Sequence, residues 1–102
     1  MKKTQELLEP VLTREITVDY PKSKECITSP EYTFRISAAS DGPVEISIDG
    51  NEWQACRKSG GYWWCDWSGY MSGNHQAVCR IAPHNDGQKM TSKPRLFSVK
   101  LA

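Results

Sequence analysis

The sequence predicts an all-β domain, an immunoglobulin-like antiparallel β-sandwich of about seven strands. Three observations favour this class: apolar and polar residues alternate in short runs, turn-forming residues separate the runs roughly every 8–12 residues, and no apolar stripe of helical period occurs. A small five-stranded barrel is the main competitor, and it would leave two of the predicted strands unexplained.

The individual strands follow from period-two patterning. The clearest is Tyr32–Ala38, where an apolar residue stands at every second position. Ile16–Tyr20 has the same pattern and places Tyr20 on the face of Ile16 and Val18, and Pro21 ends it. The predicted strands are Ile16–Tyr20, Tyr32–Ala38, Val44–Ile48, Trp53–Lys58, Tyr62–Trp67, Gln76–Ile81 and Arg95–Leu101. The turns between them are predicted at Asp41-Gly42-Pro43, Asp49-Gly50-Asn51, Gly60-Gly61, Gly73-Asn74 and Asn85-Asp86-Gly87.

The length and net charge of the chain limit the number of domains it can form and the classes of partner it can bind. The chain has 102 residues and a mass of 11.6 kDa, enough for one domain. Residues 1–13 show no clear period and contain Pro10, so we predict a loosely ordered N-terminal arm before a single domain over residues 14–102. The net charge of +1 gives no field to gather nucleic acid, and no apolar run approaches the roughly 20 residues that cross a membrane. Because the sequence shows no secretory signal, a cytoplasmic protein with reduced thiols is the default expectation.

The stretch around Gly60-Gly61 predicts a hairpin with a defined register. A two-residue loop there places Arg57 opposite Trp64 and Cys56 opposite Cys65. The two cysteines then occupy a non-hydrogen-bonded pair, whose Cα separation of about 4.5 Å could just accept a disulfide. Two thiols in the core are the favoured alternative, and the sequence leaves both open.

The same hairpin carries a concentration of aromatic residues. Period two divides the second strand into an inward set of Trp63, Cys65 and Trp67 and an outward set. Arg57 would stack on the outward Trp64. We predict a binding surface made of Arg57, Tyr62, Trp64, Asp66 and Tyr70. A purely structural role for these aromatics, as cross-strand pairs worth about 0.2–1 kcal/mol each, stays the competing interpretation.

A family resemblance covers about residues 30–100. Val44-Glu45-Ile46-Ser47-Ile48-Asp49-Gly50 followed by Trp53, then Trp63-Trp64-Cys65-Asp66-Trp67, Gly73-Asn74-His75 and Cys79-Arg80, is similar to early-set immunoglobulin-like domains. These are typified by the dimerisation domain of sulfite-oxidase-type molybdopterin enzymes. The resemblance implies a binding or pairing module, and a homodimer is one form that such a module can take. The enzyme domain that would hold molybdopterin is missing from this chain, so the resemblance implies no cofactor.

Motifs for chemistry are missing from the sequence. His75 and Cys79, four residues apart on a strand, are separated by about 13 Å, too far to share a metal ion. A metal site joining Cys56, Cys65 and Cys79 is conceivable but disfavoured against three core cysteines. The run Gly69–Gly73 does not match G-x-S-x-G, and no glycine-rich nucleotide motif occurs. His75 and His84 are predicted to be turn residues, and we predict no enzyme, metal or cofactor.

A non-catalytic binding module is therefore the predicted function. The first expectation is protein–protein interaction or self-association, because Trp, Tyr and Arg are the residues that anchor protein interfaces. The alternative is a carbohydrate-binding module, in which aromatic rings stack on sugars and neighbouring polar groups bind the hydroxyls. Both would use the same predicted surface, and composition alone does not separate them.

Overall fold

The computed structural model describes residues 16–39, 43–81 and 90–102. Within these ranges there is no helix, and ten strands form two sheets. The strands are β1 (Ile16–Tyr20), β2 (Cys26–Ile27), β3 (Glu31–Ala38), β4 (Val44–Ile48), β5 (Gln54–Ala55), β6 (Arg57–Ser59), β7 (Tyr62–Ser68), β8 (Gly73–Ile81), β9 (Met90–Thr91) and β10 (Arg95–Val99). The described part of the chain thus has no helix of the length and apolarity that crossing a membrane requires.

The strand order is that of an immunoglobulin-like sandwich. The first sheet has the order β1-β3-β7-β6, and the second has the order β2-β10-β8-β4-β5 with β9 also paired to β8. Only the short β2 pairs in parallel, with β10; the other pairings between described strands are antiparallel. Four strands on one side and three long strands, β10, β8 and β4, on the other reproduce the constant-type arrangement. The predicted all-β, immunoglobulin-like fold class is confirmed.

The core lies between the two sheets and is filled by alternate residues of the long strands. Phe34 is its centre: the side chain is fully buried and meets the rings of Trp67 and Phe97 edge to face, each at 5.7 Å between centroids. The buried apolar set is Ile16, Val18, Ile27, Phe34, Ile36, Val44, Ile46, Ile48, Trp63, Cys65, Ala77, Cys79, Ile81, Phe97 and Val99. Burial of this set is the main stabilising contribution of the fold.

Several strand boundaries differ from the prediction. The segment 53–58 is not one strand, because the chain leaves β5 in the second sheet and enters β6 in the first at Cys56. Strand β8 begins at Gly73, where a turn was predicted, and His75 therefore lies in a strand rather than a turn. The two-residue strands β2 and β9 lack enough residues to show alternation in the sequence. The predicted arm 1–13, His84, the turn at 85–87 and the first two residues of the predicted turn at 41–43 lie outside the described residues.

The Gly60-Gly61 hairpin forms with the predicted register. Ser59 pairs with Tyr62, and Arg57 pairs with Trp64. Both glycines have positive φ, 61° and 86°, as a two-residue loop of this kind requires. The loop therefore determines which residues of β6 and β7 face each other.

All four cysteines are free thiols. In this structure Cys56 and Cys65 are two thiols rather than the disulfide that the predicted register also permits. Cys65 and Cys79 are buried, Cys56 is half-buried, and Cys26 is exposed. Across the described residues, no group of three or more His, Cys, Asp or Glu side chains is arranged to hold a metal ion.

His75 ties two turns to the end of the core. Its Nδ1 lies 2.6 Å from Oδ2 of Asp49, and its Nε2 lies 2.8 Å from the carbonyl oxygen of Met71. Both partners are acceptors, so both ring nitrogens donate only when the imidazole is protonated. Burial alone would lower the pKa of His75, but the hydrogen bonds to Asp49 and Met71 and the Asp49 charge raise it overall. The folded structure therefore favours the imidazolium.

We expect the stability contribution of His75 to decrease as the pH rises. Its pKa is about 6.5 in an unfolded chain and higher in the folded protein, so the contribution is complete below about pH 6.5. It is lost as the pH rises through the folded-state pKa. Urea unfolding of wild type and His75→Gln at several pH values measures this: the difference in unfolding free energy should shrink with rising pH. A difference that is constant from pH 5 to pH 9 would contradict the protonated state.

Candidate functional site

The outward face of β7 is the centre of the candidate site. Trp63 and Cys65 are buried in the core, whereas Tyr62 and Trp64 are half-buried and Asp66 is exposed. This alternation is the predicted one. Trp64 retains solvent exposure, which a docking surface on this face needs.

Strands β3 and β6 flank β7 and complete the face. Arg35 pairs with Trp64 from one side, and Arg57 pairs with Trp64 from the other. Thr33 pairs with Asp66 in the same way. Residues paired across an antiparallel sheet have side chains on the same face. We call the resulting outward set the aromatic surface; it consists of Tyr20, Thr33, Arg35, Arg57, Tyr62, Trp64 and Asp66.

A stack of two tyrosines and an arginine forms one half of the aromatic surface. The guanidinium carbon of Arg35 lies 4.2 Å from the ring centroid of Tyr62 and 4.8 Å from that of Tyr20. Nε of Arg35 also forms an ion pair with Oδ2 of Asp19 at 3.2 Å, and the same oxygen accepts a hydrogen bond from Ser37. The cation is thus held between two aromatic faces and neutralised at its edge.

The arginine that stacks on the aromatic rings is therefore Arg35, whereas the sequence pointed to Arg57. Arg57 does lie opposite Trp64, but its guanidinium is directed along the sheet to Asp66, with Nη1 to Oδ2 at 3.0 Å and Nη2 to Oδ1 at 3.3 Å. A bidentate carboxylate pair satisfies the guanidinium more fully than a ring face does. The predicted Arg57–Trp64 stacking is wrong for this reason.

Asp66 is held by two neighbours at once. Besides the Arg57 pair, its Oδ1 accepts a hydrogen bond of 2.9 Å from Oγ1 of Thr33. The hydrogen bonds from Arg57 and then from Thr33 lower the pKa of the Asp66 carboxyl. Because the side chains of Arg57 and Asp66 are 58% and 68% exposed, the pair orients these groups more than it stabilises the fold.

Trp64 is positioned by its indole nitrogen. Nε1 donates a hydrogen bond of 2.8 Å to the carbonyl oxygen of Ser59 on β6. The ring meets Tyr62 edge to face at 6.0 Å. The orientation of the indole is therefore set before any partner arrives, which reduces the entropy lost on binding.

Tyr70 is not part of the aromatic surface. Its ring stacks on Trp67 at 3.8 Å with an angle of 19°, and its hydroxyl donates to the carbonyl oxygen of Ser29 at 2.6 Å. Trp67 belongs to the inward set, so Tyr70 covers the end of the core. The chain turns after β7 at Gly69, whose φ is 74°, and the period-two pattern does not continue through this turn. The structure thus brings together four of the predicted site residues and separates the fifth.

A shallow polar depression adjoins the aromatic surface at Thr33 and Asp66. It has a volume of about 770 Å³ and lies along the beginning of β3 and the end of β7. Its lining consists of Ser29, Glu31, Tyr32, Thr33, Asp66, Trp67 and Ser68. Carboxylate and hydroxyl oxygens therefore lie beside the exposed aromatic rings.

The outer face of the second sheet carries a smaller arginine stack. The guanidinium carbon of Arg80 lies 4.0 Å from the ring centroid of Trp53, and its Nε contacts Oε1 of Glu45 at 2.8 Å. Trp53 is 38% exposed. This stack contains one aromatic ring, whereas the aromatic surface contains three. Because it also places an arginine over an aromatic ring, but on the other sheet, variants at Trp53 can serve as controls.

Of the three comparisons with known proteins, the one with solved structures bears on the fold. No protein-family model matches the sequence, and no curated protein matches it. Among solved structures, the chain is similar to the Clostridium thermocellum CbhA fibronectin(III)-like modules, with a TM-score of 0.57 and 19% sequence identity, covering 85% of this chain and 98% of that one. At this identity the likeness shows an immunoglobulin-like β-sandwich and no more.

Proposed function

We propose that this chain is a non-catalytic module that binds a protein, either a second copy of itself or another chain, through the aromatic surface. The observation that carries the proposal is the stack of Tyr20, Arg35 and Tyr62 beside the half-exposed Trp64. Trp, Tyr and Arg are the residues most often found at the energetic centre of protein interfaces. Here their conformations are already set by contacts within the protein.

Self-association is the version to test first. The resemblance to a dimerisation domain supports it, and so does the location of the aromatic surface on one face of a sheet, which a second copy can cover by symmetry. We also propose that the protein is located in the cytoplasm, a reducing compartment in which four free thiols are expected.

Truncation of Trp64 should weaken self-association. We expect a dimer of the wild type to be detected at protein concentrations within a range up to about 100 µM. Trp64→Ala should raise the dissociation constant about thirtyfold, because it removes an anchor worth about 2 kcal/mol. Sedimentation equilibrium measures both. Trp53→Ala is the matched control, since it removes a partly exposed Trp that also stacks on an arginine, but on the opposite sheet. A wild type that stays monomeric over this range would remove the homodimer, and equal effects of the two variants would remove the aromatic surface as its site.

Carbohydrate binding is the second candidate, and the polar depression beside Asp66 favours it. Sugar rings stack on exposed aromatic faces, but one face of Tyr62 is already covered by Arg35. Tryptophan fluorescence during titration with oligosaccharides distinguishes the candidates. A spectral change that Trp64→Ala abolishes and Trp53→Ala preserves would support sugar binding. An unchanged spectrum throughout would contradict it.

A further inference from the structure

The hairpin around Gly60-Gly61 has two cysteines next to its paired residues, Cys56 and Cys65. The chain crosses from the second sheet to the first at Cys56, between β5 and β6. The backbone N–H of Cys56 donates to the carbonyl oxygen of Val44 at 2.9 Å, while the next residue, Arg57, already pairs with Trp64. Cys56 is therefore held in place from both sheets.

Cys56 and Cys65 lie next to the last pair of the hairpin. Strand β6 pairs Ser59 with Tyr62, Lys58 with Trp63 and Arg57 with Trp64, and Cys56 and Cys65 are the next residues along the two chain segments. In an antiparallel ladder the position after a hydrogen-bonded pair is a non-hydrogen-bonded one, for which the expected separation of the Cα atoms is about 4.5 Å. That separation falls within the range of about 4.4–6.8 Å found in disulfides.

The two sulfur atoms also interact. A hydrogen bond between the thiols lowers the pKa of Cys65, with a further contribution from the Arg57 charge, and raises the pKa of Cys56. When one of the two thiols ionises, this hydrogen bond favours the negative charge on Cys65 and the proton on Cys56. A thiolate is the form of cysteine that reacts with oxidants.

We propose that Cys56 and Cys65 form a reversible intramolecular disulfide when the protein encounters hydrogen peroxide. The Cys65 thiolate attacks one peroxide oxygen, the O–O bond breaks, and the leaving hydroxide takes up the proton that the Cys65 thiol had released, which gives one water and a sulfenic acid on Cys65. The Cys56 sulfur then attacks the Cys65 sulfur, the S–O bond breaks, and the released hydroxide takes the Cys56 proton to form water. Overall, two thiols and one peroxide give one disulfide and two waters.

The other two cysteines serve as internal comparisons. Cys79 is buried like Cys65, but its pKa is not lowered by a hydrogen bond from another thiol, and burial raises it to about 12, which disfavours the Cys79 thiolate. Cys26 is exposed and has no cysteine opposite it in the β2–β10 pairing. Oxidation of Cys26 would link molecules together, so the test is made in a Cys26→Ser background.

Peptide mapping after peroxide treatment tests the proposal. Trypsin cleaves after Arg57 and Lys58, so a Cys56–Cys65 bond joins the two peptides spanning 36–57 and 59–80. We expect the full chain to lose two hydrogen atoms in intact mass, to yield this linked pair, and to return to the reduced mass with dithiothreitol. Since Cys79 shares the second peptide, Cys79→Ala must retain the link, whereas Cys56→Ser must lose it.

Thermal unfolding provides an independent measurement. A bond closing the hairpin restricts the unfolded chain, so the oxidised protein should melt several degrees above the reduced one. This comparison uses one sequence in two redox states and does not depend on how a cysteine variant folds. Three outcomes would each overturn the proposal. The first is a link that survives in Cys56→Ser, and the second is a chain that gains oxygen atoms without losing hydrogens. The third is a wild type in which Cys26 reacts while the other thiols stay reduced.

Discussion

Phe34→Ala is expected to lower the free energy of unfolding by about 3–5 kcal/mol, the cost of truncating a buried aromatic residue. Phe34 is fully buried and makes edge-to-face contacts with Tyr32 at 5.5 Å and with Trp67 and Phe97 at 5.7 Å. Its ring joins both sheets, because Phe97 belongs to the second one. Domains of this size are stable by only about 5–15 kcal/mol in total. Urea unfolding followed by tryptophan fluorescence measures the change.

Leu96→Ala is the matched control for this core variant. Leu96 precedes Phe97 in β10 but is 56% exposed. We expect a change within about 0.5 kcal/mol, as for exposed positions in general. A loss below about 1 kcal/mol for Phe34→Ala would contradict its position at the centre of the core.

Arg35→Ala is expected to have the largest effect among the surface variants, a loss of about 1–3 kcal/mol of stability. It removes a cation from between Tyr20 and Tyr62, and it leaves the carboxylate of Asp19 without its charged partner. The side chains of Arg35 and Asp19 are only 29% and 17% exposed, so solvent compensates less than at an open surface pair. Urea unfolding measures the loss, and a double-mutant cycle with Asp19→Asn separates the ion pair from the stacking.

Two further variants make the Arg35 result specific. Arg35→Lys should not restore stability fully, because an ammonium group lacks the flat face that stacks on two rings. Arg57→Ala should change stability by no more than about 0.5 kcal/mol, since the Arg57–Asp66 pair is exposed. If Arg35→Lys matched wild type, the stacking geometry would carry no energy, and the structural basis of the aromatic surface would be wrong.

Much of the fold could be predicted from local pattern. Strands β1 and β4 begin and end where the alternation begins and ends. The register of β6 against β7 could be predicted because a two-residue glycine loop leaves one way for the strands to pair. The inward and outward sets of β7 followed from the same reasoning, because side chains alternate strictly along a strand.

The prediction failed where a strand departs from ideal geometry. Alternation placed Tyr20 with Ile16 and Val18 on the inward face. A register shift between Val18 and Tyr20 pairs Tyr20 with Arg35 instead, on the outward face of β3. Such a bulge inserts one residue and reverses the side-chain direction after it. A sequence pattern cannot reveal it, because the residue types remain those of a regular strand.

The candidate site shows the same division. Tyr62, Trp64 and Asp66 could be placed together because they lie on one strand, and Arg57 because the hairpin brings it opposite. Arg35 and Thr33 could not, because β3 lies about thirty residues earlier in the chain and its pairing with β7 is set by the sandwich topology. Tyr70 was misplaced because it follows a turn, where period two no longer determines direction.

The sequence by itself determined the class of fold, the aromatic hairpin and the face on which each β7 side chain lies, since these depend on spacing along a few residues. The tertiary structure alone decided that Arg35, and not Arg57, lies between aromatic rings, that Tyr20 joins them, and that Cys56 stands at the crossing between the sheets. The physical reason is that each of these contacts joins segments distant in the chain, and their pairing minimises the free energy of the whole sandwich rather than that of any one strand.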